Sequence, residues 1–239
     1  MSAQNSGPDR TNQYGQPIGP AMPDWTARPL PAADRLPGRF CTLERLDASR
    51  HADDLSAAYA AASDGSDWTY LPVGPFDSPA SYREWVQEQA RTDDPRHYAV
   101  VDGASGRAVG TLALMRITPA HGAAEVGWVV FSRAMQRTPL STEAHFLLMR
   151  YVFDELGYRR YEWKCDSLNA PSRRAAERLG FTFEGTFRQA VVYKGRSRDT
   201  SWFSVLDRDW PQVKEGFEAW LAPENFDEDG IQRSPLRTR

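Results

Sequence analysis

The residues of this chain that could do chemistry lie between Glu125 and Ser172. The stretch Gln136-Arg137-Thr138-Pro139-Leu140-Ser141-Thr142 follows an apolar run and opens an amphipathic one. A strand–turn–helix junction of this kind leaves the first helical amides without acceptors. The helix dipole adds positive character there, so the junction can hold a phosphate. Phosphate loops commonly use glycine to bring the backbone close to the ligand, and this one has none. Pro139 removes an amide donor, but its fixed φ suits the first helical position and makes Thr138 the N-cap. Leu140, Ser141 and Thr142 keep their amides, and two of them add hydroxyls. The plainer reading is a capped helix that binds nothing. Glu125 stands on the same face of "AEVGWVVF" as Val129, two pleats earlier. Its carboxylate could accept a proton or simply pair with an arginine. Asn169 and Ser172 are spaced to sit together at the start of one helix, Asn169 as N-cap and Ser172 in the first turn.

Cys41 and Cys165 are too far apart in sequence to suggest a disulfide scaffold or a zinc site, and Cys165 on "YEWKCD" is expected in the core. His51, His97, His121 and His145 show no metal-ligand spacing, so no metal is expected.

The elements that must position these residues can be read in order. Residues 1–37 hold seven of the 17 prolines and no helical or strand periodicity, so an extended arm is expected, pinned by Trp25 and Leu30. The globular part is expected over 38–221. "RFCTLERL" reads as a strand, 49–62 as a helix capped by Ser49, and 80–91 as a second helix. Strands at 97–102, 108–117 and 124–131 follow, then a helix to about Glu155, a strand at 158–166 and a helix over 169–180 stopped by Gly180. Two further strands, joined by "KGRSRD", and a helix from Trp210 to Leu221 close the pattern, leaving 222–239 as a polar tail. The order β, α, α, three strands, α, β, α, β, β, α predicts a mixed α/β sheet, largely antiparallel, with a βαβ crossover at the loop.

The chain has 239 residues, 41% of them hydrophobic, and a net charge of −3. That is enough for a substantial core, and it gives no reason to expect nucleic acid as a partner. Basic residues do cluster at Arg188, Lys194, Arg196 and Arg198, which leaves room for a local anionic ligand. The first residues form no apolar run and no stretch reaches membrane-spanning length, so a cytoplasmic protein without a membrane partner is expected.

Taken together, "EVGW", the Gln-x-x-x-x-Ser loop, "NAPSRRAAERLGFTFEGTFR" and "GRSRDTSWFSVLDRDW" resemble the GNAT acyltransferase superfamily over about 40–210. The branch the chain looks like is the one named for the ribosomal-protein N-terminal acetyltransferases. The matching positions are Asn169, Ser172, Leu179, Gly180, Phe181, Glu184, Gly185, Arg188 and Asp199. The resemblance implies acetyl-CoA as acyl donor and an amine acceptor, either a small molecule or a protein N-terminus or lysine, with a homodimer left open. It implies that backbone at Val129, Val130 and Phe131 pairs with the pantetheine arm and that Gln136, Arg137, Thr138, Leu140, Ser141 and Thr142 hold the pyrophosphate. It further implies Asn169 on the pantetheine, Glu125 as general base and Ser172 near the leaving thiolate, with Tyr193 as a reserve acid. His121 would border the acceptor, and the acceptor pocket would draw on Trp68, Tyr70, Phe76, Trp128 and Tyr193. Two alternatives stay open. One is a non-catalytic CoA-binding protein. The other is a different acyl donor such as succinyl-CoA, its carboxylate held by Arg188, Lys194 and Arg196.

Overall fold

The computed structural model describes residues 10–62 and 64–238. Eight strands form one sheet: β1 (Arg35–Pro37), β2 (Cys41–Arg45), β3 (Arg96–Asp102), β4 (Ala108–Thr118), β5 (Ala123–Phe131), β6 (Arg160–Asp166), β7 (Thr182–Tyr193) and β8 (Arg196–Leu206). They lie in the order β1-β2-β3-β4-β5-β6-β8-β7, and every neighbouring pair is antiparallel except β5 and β6. That parallel pair is joined by α3 (Pro139–Arg150), the crossover the sequence predicts. The helices α1 (Ala48–Ala60), α2 (Pro79–Gln89), α4 (Ala170–Arg178) and α5 (Trp210–Leu221) complete the fold.

Local chemistry explains the element ends. Asp47, not Ser49, caps α1: its Oδ1 accepts from the amides of Ser49 and Arg50, which leaves Ser49 inside the first turn. Ser78 caps α2 reciprocally with Ser81, and Pro79 fills the first helical position. Asn169 caps α4, its side chain accepting from the Ser172 amide at 3.1 Å. Past Arg150 the helix widens into a π turn over Tyr151–Glu155.

Two apolar clusters hold the sheet. The larger packs α3, α5 and β6 through Phe146, Leu147, Tyr161, Trp163, Phe203 and Phe217. The smaller packs α1 and α2 on β3–β5 through Leu55, Tyr59, Trp68, Tyr82 and Val86. A buried carboxylate ties α3 to the start of β2. Glu143 on α3 accepts the amides of Arg39, Phe40 and Cys41 at 2.6–2.8 Å, so its charge is taken up by three donors.

Of the residues expected as an extended arm, 10–37 are described. The Trp25 indole donates to the Ala120 carbonyl at 2.8 Å, and the arm's last residues form β1 on β2. Leu30 is exposed and holds nothing.

Candidate active site

β5 and β6 run side by side only from Ala123↔Arg160 to Val126↔Trp163, although both strands continue. Past Val126 they part. The divergence coincides with a bulge in β5. Thr111 pairs with Val130 and Ala113 with Gly127, so Trp128 and Val129 together oppose Leu112. Trp128 takes a left-handed φ of 51°, rare for a bulky residue and costly by about 1–3 kcal/mol. The cluster of Trp85 and His97, with ring centroids 6.0 and 5.8 Å from Trp128, packs that strained position. The strand gap opens into a cavity of about 460 Å³ walled by Trp128, Val129, Trp163, Phe187, Tyr193 and Trp202. That volume is in the range of small-molecule sites.

Of the three strand-end residues expected to meet a pantetheine arm, Val129 lines the cavity. Val130 is buried, and its carbonyl accepts from the Tyr59 hydroxyl at 3.0 Å. The Phe131 carbonyl accepts from the Gln136 side-chain amide at 2.8 Å. Gln136 therefore ties the loop to the strand end.

The glycine-free loop still contains a left-handed residue. Arg137 has φ 61°, supplying from an arginine what such loops usually take from glycine. Thr138 is the N-cap by position, but its hydroxyl donates back to Met135. The Ser141 hydroxyl donates to the Thr138 carbonyl at 2.8 Å, and the Thr142 hydroxyl accepts from Arg178 at 3.1 Å. The hydroxyls are thus committed within the protein. What the helix start offers outward is the amides of Leu140 and Ser141, the second and third helical positions, together with the dipole.

Glu125 lines the cavity but is not a free carboxylate. Its Oε2 lies 2.8 Å from the Lys164 ammonium and 3.2 Å from Arg116 Nε. Burial pushes its pKa up, and Lys164 and then Arg116 act against that. Lys164 is itself buried. It also lies 2.8 Å from Glu162 and 3.7 Å from the Trp202 ring centre. Glu162 in turn meets Arg160 at 2.6 Å, and Arg160 forks onto both oxygens of Glu184 at 2.8 and 2.6 Å. Arg160, Glu162, Lys164 and Asp166 alternate in sign along one face of β6. Their spacing of two was the available signal for Lys164 and Asp166 as cavity residues.

Ser172 stands at the cavity's other wall. Its Oγ accepts from the Trp163 indole N–H at 3.0 Å, which turns the hydroxyl's own proton elsewhere. Cys165 is next to it, buried. Burial raises its thiol pKa against the Ser172 hydroxyl, so the proton stays on sulfur. Tyr193 donates to Asp166 at 2.9 Å, and burial followed by that carboxylate pushes the phenol up to about 12. Such a phenol keeps its proton and points it at the carboxylate, which weakens the reserve-acid reading. Asn169 lines the cavity, with its carbonyl oxygen occupied by the cap.

The remaining expected residues divide. Tyr70, Trp128 and Tyr193 line the cavity, whereas Trp68 and Phe76 belong to the aromatic packing beneath it. His121 lies exposed in the β4–β5 turn, outside the cavity lining. His145 is buried between Phe131 and Trp163, at 5.4 and 5.0 Å, and burial lowers its pKa to about 3. It is a neutral packing residue beneath the strand gap. The Lys194 ammonium is taken by the carbonyls of Trp68 and Gly74, while Arg188 and Arg196 are exposed, so the trio does not converge as a carboxylate site. No group of three or more His, Cys, Asp or Glu side chains able to hold a metal occurs among the described residues.

The sheet's parallel pair thus splits at a bulge, with a helix N-terminus beyond the split and ionisable groups in the gap. Residues 42–182 match the model of the acetyltransferase (GNAT) domain, and the chain belongs to that family. A GCN5-related N-acetyltransferase from Brucella melitensis is 50% identical, with a TM-score of 0.88 over 90% of this chain and 97% of that one. The N-acetyltransferase YnaD of Bacillus subtilis is 24% identical over 157 residues, 66% of this chain and 90% of its own. RimL, the ribosomal L7/L12 alpha-N-protein acetyltransferase, shares the fold at 23% identity and a TM-score of 0.60 over 72% of this chain and 93% of its own. The chain is an acyl-CoA-dependent N-acetyltransferase by family.

Proposed function

We propose that this chain moves an acetyl group from acetyl-CoA to a primary amine by direct attack within the β5–β6 gap. The observation that carries this is the parting of the strands after Val126. It places Val129, Glu125 and Ser172 around one cavity. The donor set suits the cofactor. Strand β5 past Val126 has no partner in β6 and offers main-chain groups to a pantetheine arm. The amides of Leu140 and Ser141 offer an anion site at the start of α3.

The thioester and the amine gain most from being held together, since positioning alone can supply about 7–11 kcal/mol of a bimolecular barrier. The Val129 amide would stabilise the oxyanion. Glu125 would take the amine proton, directly or through a water, while Lys164 and Arg116 hold its carboxylate in place. Ser172, its oxygen occupied by the Trp163 N–H, would pass its proton to the departing thiolate and take one back from water, so that the thiol leaves neutral. Cys165 takes no part as a nucleophile, because its buried thiol keeps its proton.

Titration calorimetry with acetyl-CoA, followed by a free-CoA assay over an amine panel, tests the reading. Saturable binding and CoA release are expected. Ser172→Ala should lower kcat by about 10- to 1000-fold and leave acetyl-CoA affinity nearly intact, in keeping with a single acid–base role. Binding without transfer to any amine would instead support a CoA-binding protein that has kept the fold without the reaction.

A further inference from the structure

Two rims border the acceptor side of the cavity. One is the loop from Asp64 to Phe76, which contributes Asp67, Tyr70, Leu71 and Pro72 to the lining. The other is the β7–β8 hairpin, which contributes Phe187, Val191 and Tyr193. The rims are joined. Lys194, at the tip of the hairpin, donates to the carbonyl of Trp68 at 2.8 Å and to that of Gly74 at 2.7 Å. Its own backbone takes a left-handed φ of 47°, next to Gly195 at 70°, as a tight two-residue turn requires. Beside this tie, the Tyr70 hydroxyl donates to the Leu168 carbonyl at 3.3 Å, and Arg133 fixes the foot of the loop on Asp67 at 3.1 Å. Gly74 lies flat on the Trp68 indole, with room for no side chain: an added Cβ would fall 2.5 Å from the ring.

We propose that Lys194 is a specificity-determining bolt, closing the acceptor cavity over the top so that it admits a small, flat-bodied amine end-on and excludes a polypeptide lying across it. The inference rests on the acetyltransfer reading given above. The interior fits such an acceptor. Its walls are indoles and a phenyl ring, Trp128, Trp163, Trp202 and Phe187, which stack on flat apolar bodies. Its carboxylates are already engaged, Glu125 by Lys164, Asp67 by Arg133 and Asp166 by Tyr193, so none is left over for a second ammonium on the acceptor. A peptide needs an open trough between the rims, and here an ammonium spans it with two charge-assisted hydrogen bonds.

Lys194→Met removes both donors while keeping an unbranched stem, and Lys194→Arg keeps donors at the tip. Two measurements on the full chain decide the matter. The first is hydrogen exchange of the amides at 66–74. The second is the ratio of kcat/KM for 2-phenylethylamine to that for an unstructured heptapeptide with a free N-terminus, both with acetyl-CoA. In Lys194→Met the loop should exchange at least about tenfold faster and the ratio should fall at least about tenfold, each tenfold corresponding to about 1.4 kcal/mol. Lys194→Arg should recover most of both. Unchanged exchange in Lys194→Met would overturn the bolt. Faster exchange with an unchanged ratio would overturn its part in selection, as would a wild-type protein that acetylates the peptide as readily as the small amine. If the wild type transfers to no amine at all, the acetyltransfer reading falls and this one with it, whatever the loop does in exchange.

Discussion

Lys164 is the residue on which the chemistry of Glu125 turns. An unpaired buried carboxylate would have its proton affinity raised by desolvation and would stay protonated well into the working range. Lys164 and Arg116 counter that shift and would keep Glu125 available for the base role proposed for it. The sign of the pH effect follows. The base is active only when deprotonated, so kcat/KM rises as pH climbs through the pKa of Glu125, and removing Lys164 moves that limb to higher pH. Glu125→Gln should abolish the limb and lower kcat/KM at neutral pH by about 10²–10⁴-fold, the range for one general base, with a smaller loss at high pH where the amine is already neutral. A pH–rate profile of the wild type, Glu125→Gln and Lys164→Met checks this; an acid limb that stays in place in both variants would remove Glu125 from the mechanism. That Glu125 lies on β5 was legible, but not its face relative to Val129: the bulge at Trp128 and Val129 breaks the alternation on which a shared face was expected. Its partners were not legible either, because they come from β4 and β6, and pairing between strands is a tertiary fact that one strand's pattern does not encode.

Among the elements, α3 carries the clearest consequence. Its hydroxyls are turned inward, so anion binding at its start rests on two amides and the dipole. A charge of the same sign placed there is the sharpest test. Ser141→Asp should weaken acetyl-CoA binding by about tenfold or more, since a carboxylate about 4 Å from a phosphate costs on the order of 1–4 kcal/mol at a protein surface. It should stabilise the free protein slightly, because an acid in the first turn suits the dipole. Calorimetry and thermal melting separate the two effects, and an unchanged dissociation constant would mean that the phosphates lie elsewhere. The order of elements was readable because period and punctuation agree over most of the chain: Gly180 ends α4 and Asn169 begins it. β1 was missed for a physical reason. Three residues ending in a proline have too little pattern to mark a strand, and only pairing with β2 makes them one.

Seen as one molecule, the body is wrapped by its own ends. Trp25 docks the first segment on the β4–β5 turn. At the other end Phe226 packs edge-on against both Phe40 and Trp220, and the Thr238 side chain is buried against Arg178. Polar composition gave the stretch over 222–239 the look of a free tail, since one aromatic residue in a charged run has no period. Gly216 in α5 shows how close the docking is, because a Cβ there would fall 2.0 Å from the Arg237 carbonyl oxygen. Gly216→Ala should gain up to about 1 kcal/mol of helix propensity and lose about 1–3 kcal/mol to overpacking. The net expectation is a melting temperature lowered by a few degrees and faster proteolytic trimming after Ala222. A melting temperature that rises would show that the tail yields freely. The cavity itself has a further property that follows from its walls. Three of the eight tryptophans, Trp128, Trp163 and Trp202, face one small space, and Trp202 has the Lys164 ammonium 3.7 Å above its ring. Anything entering that space changes the polarity and quenching felt by a large share of the chain's indoles. The unlabelled protein therefore carries its own optical probe, and its emission spectrum reports occupancy of the gap in ligands that are never turned over as well as in those that are.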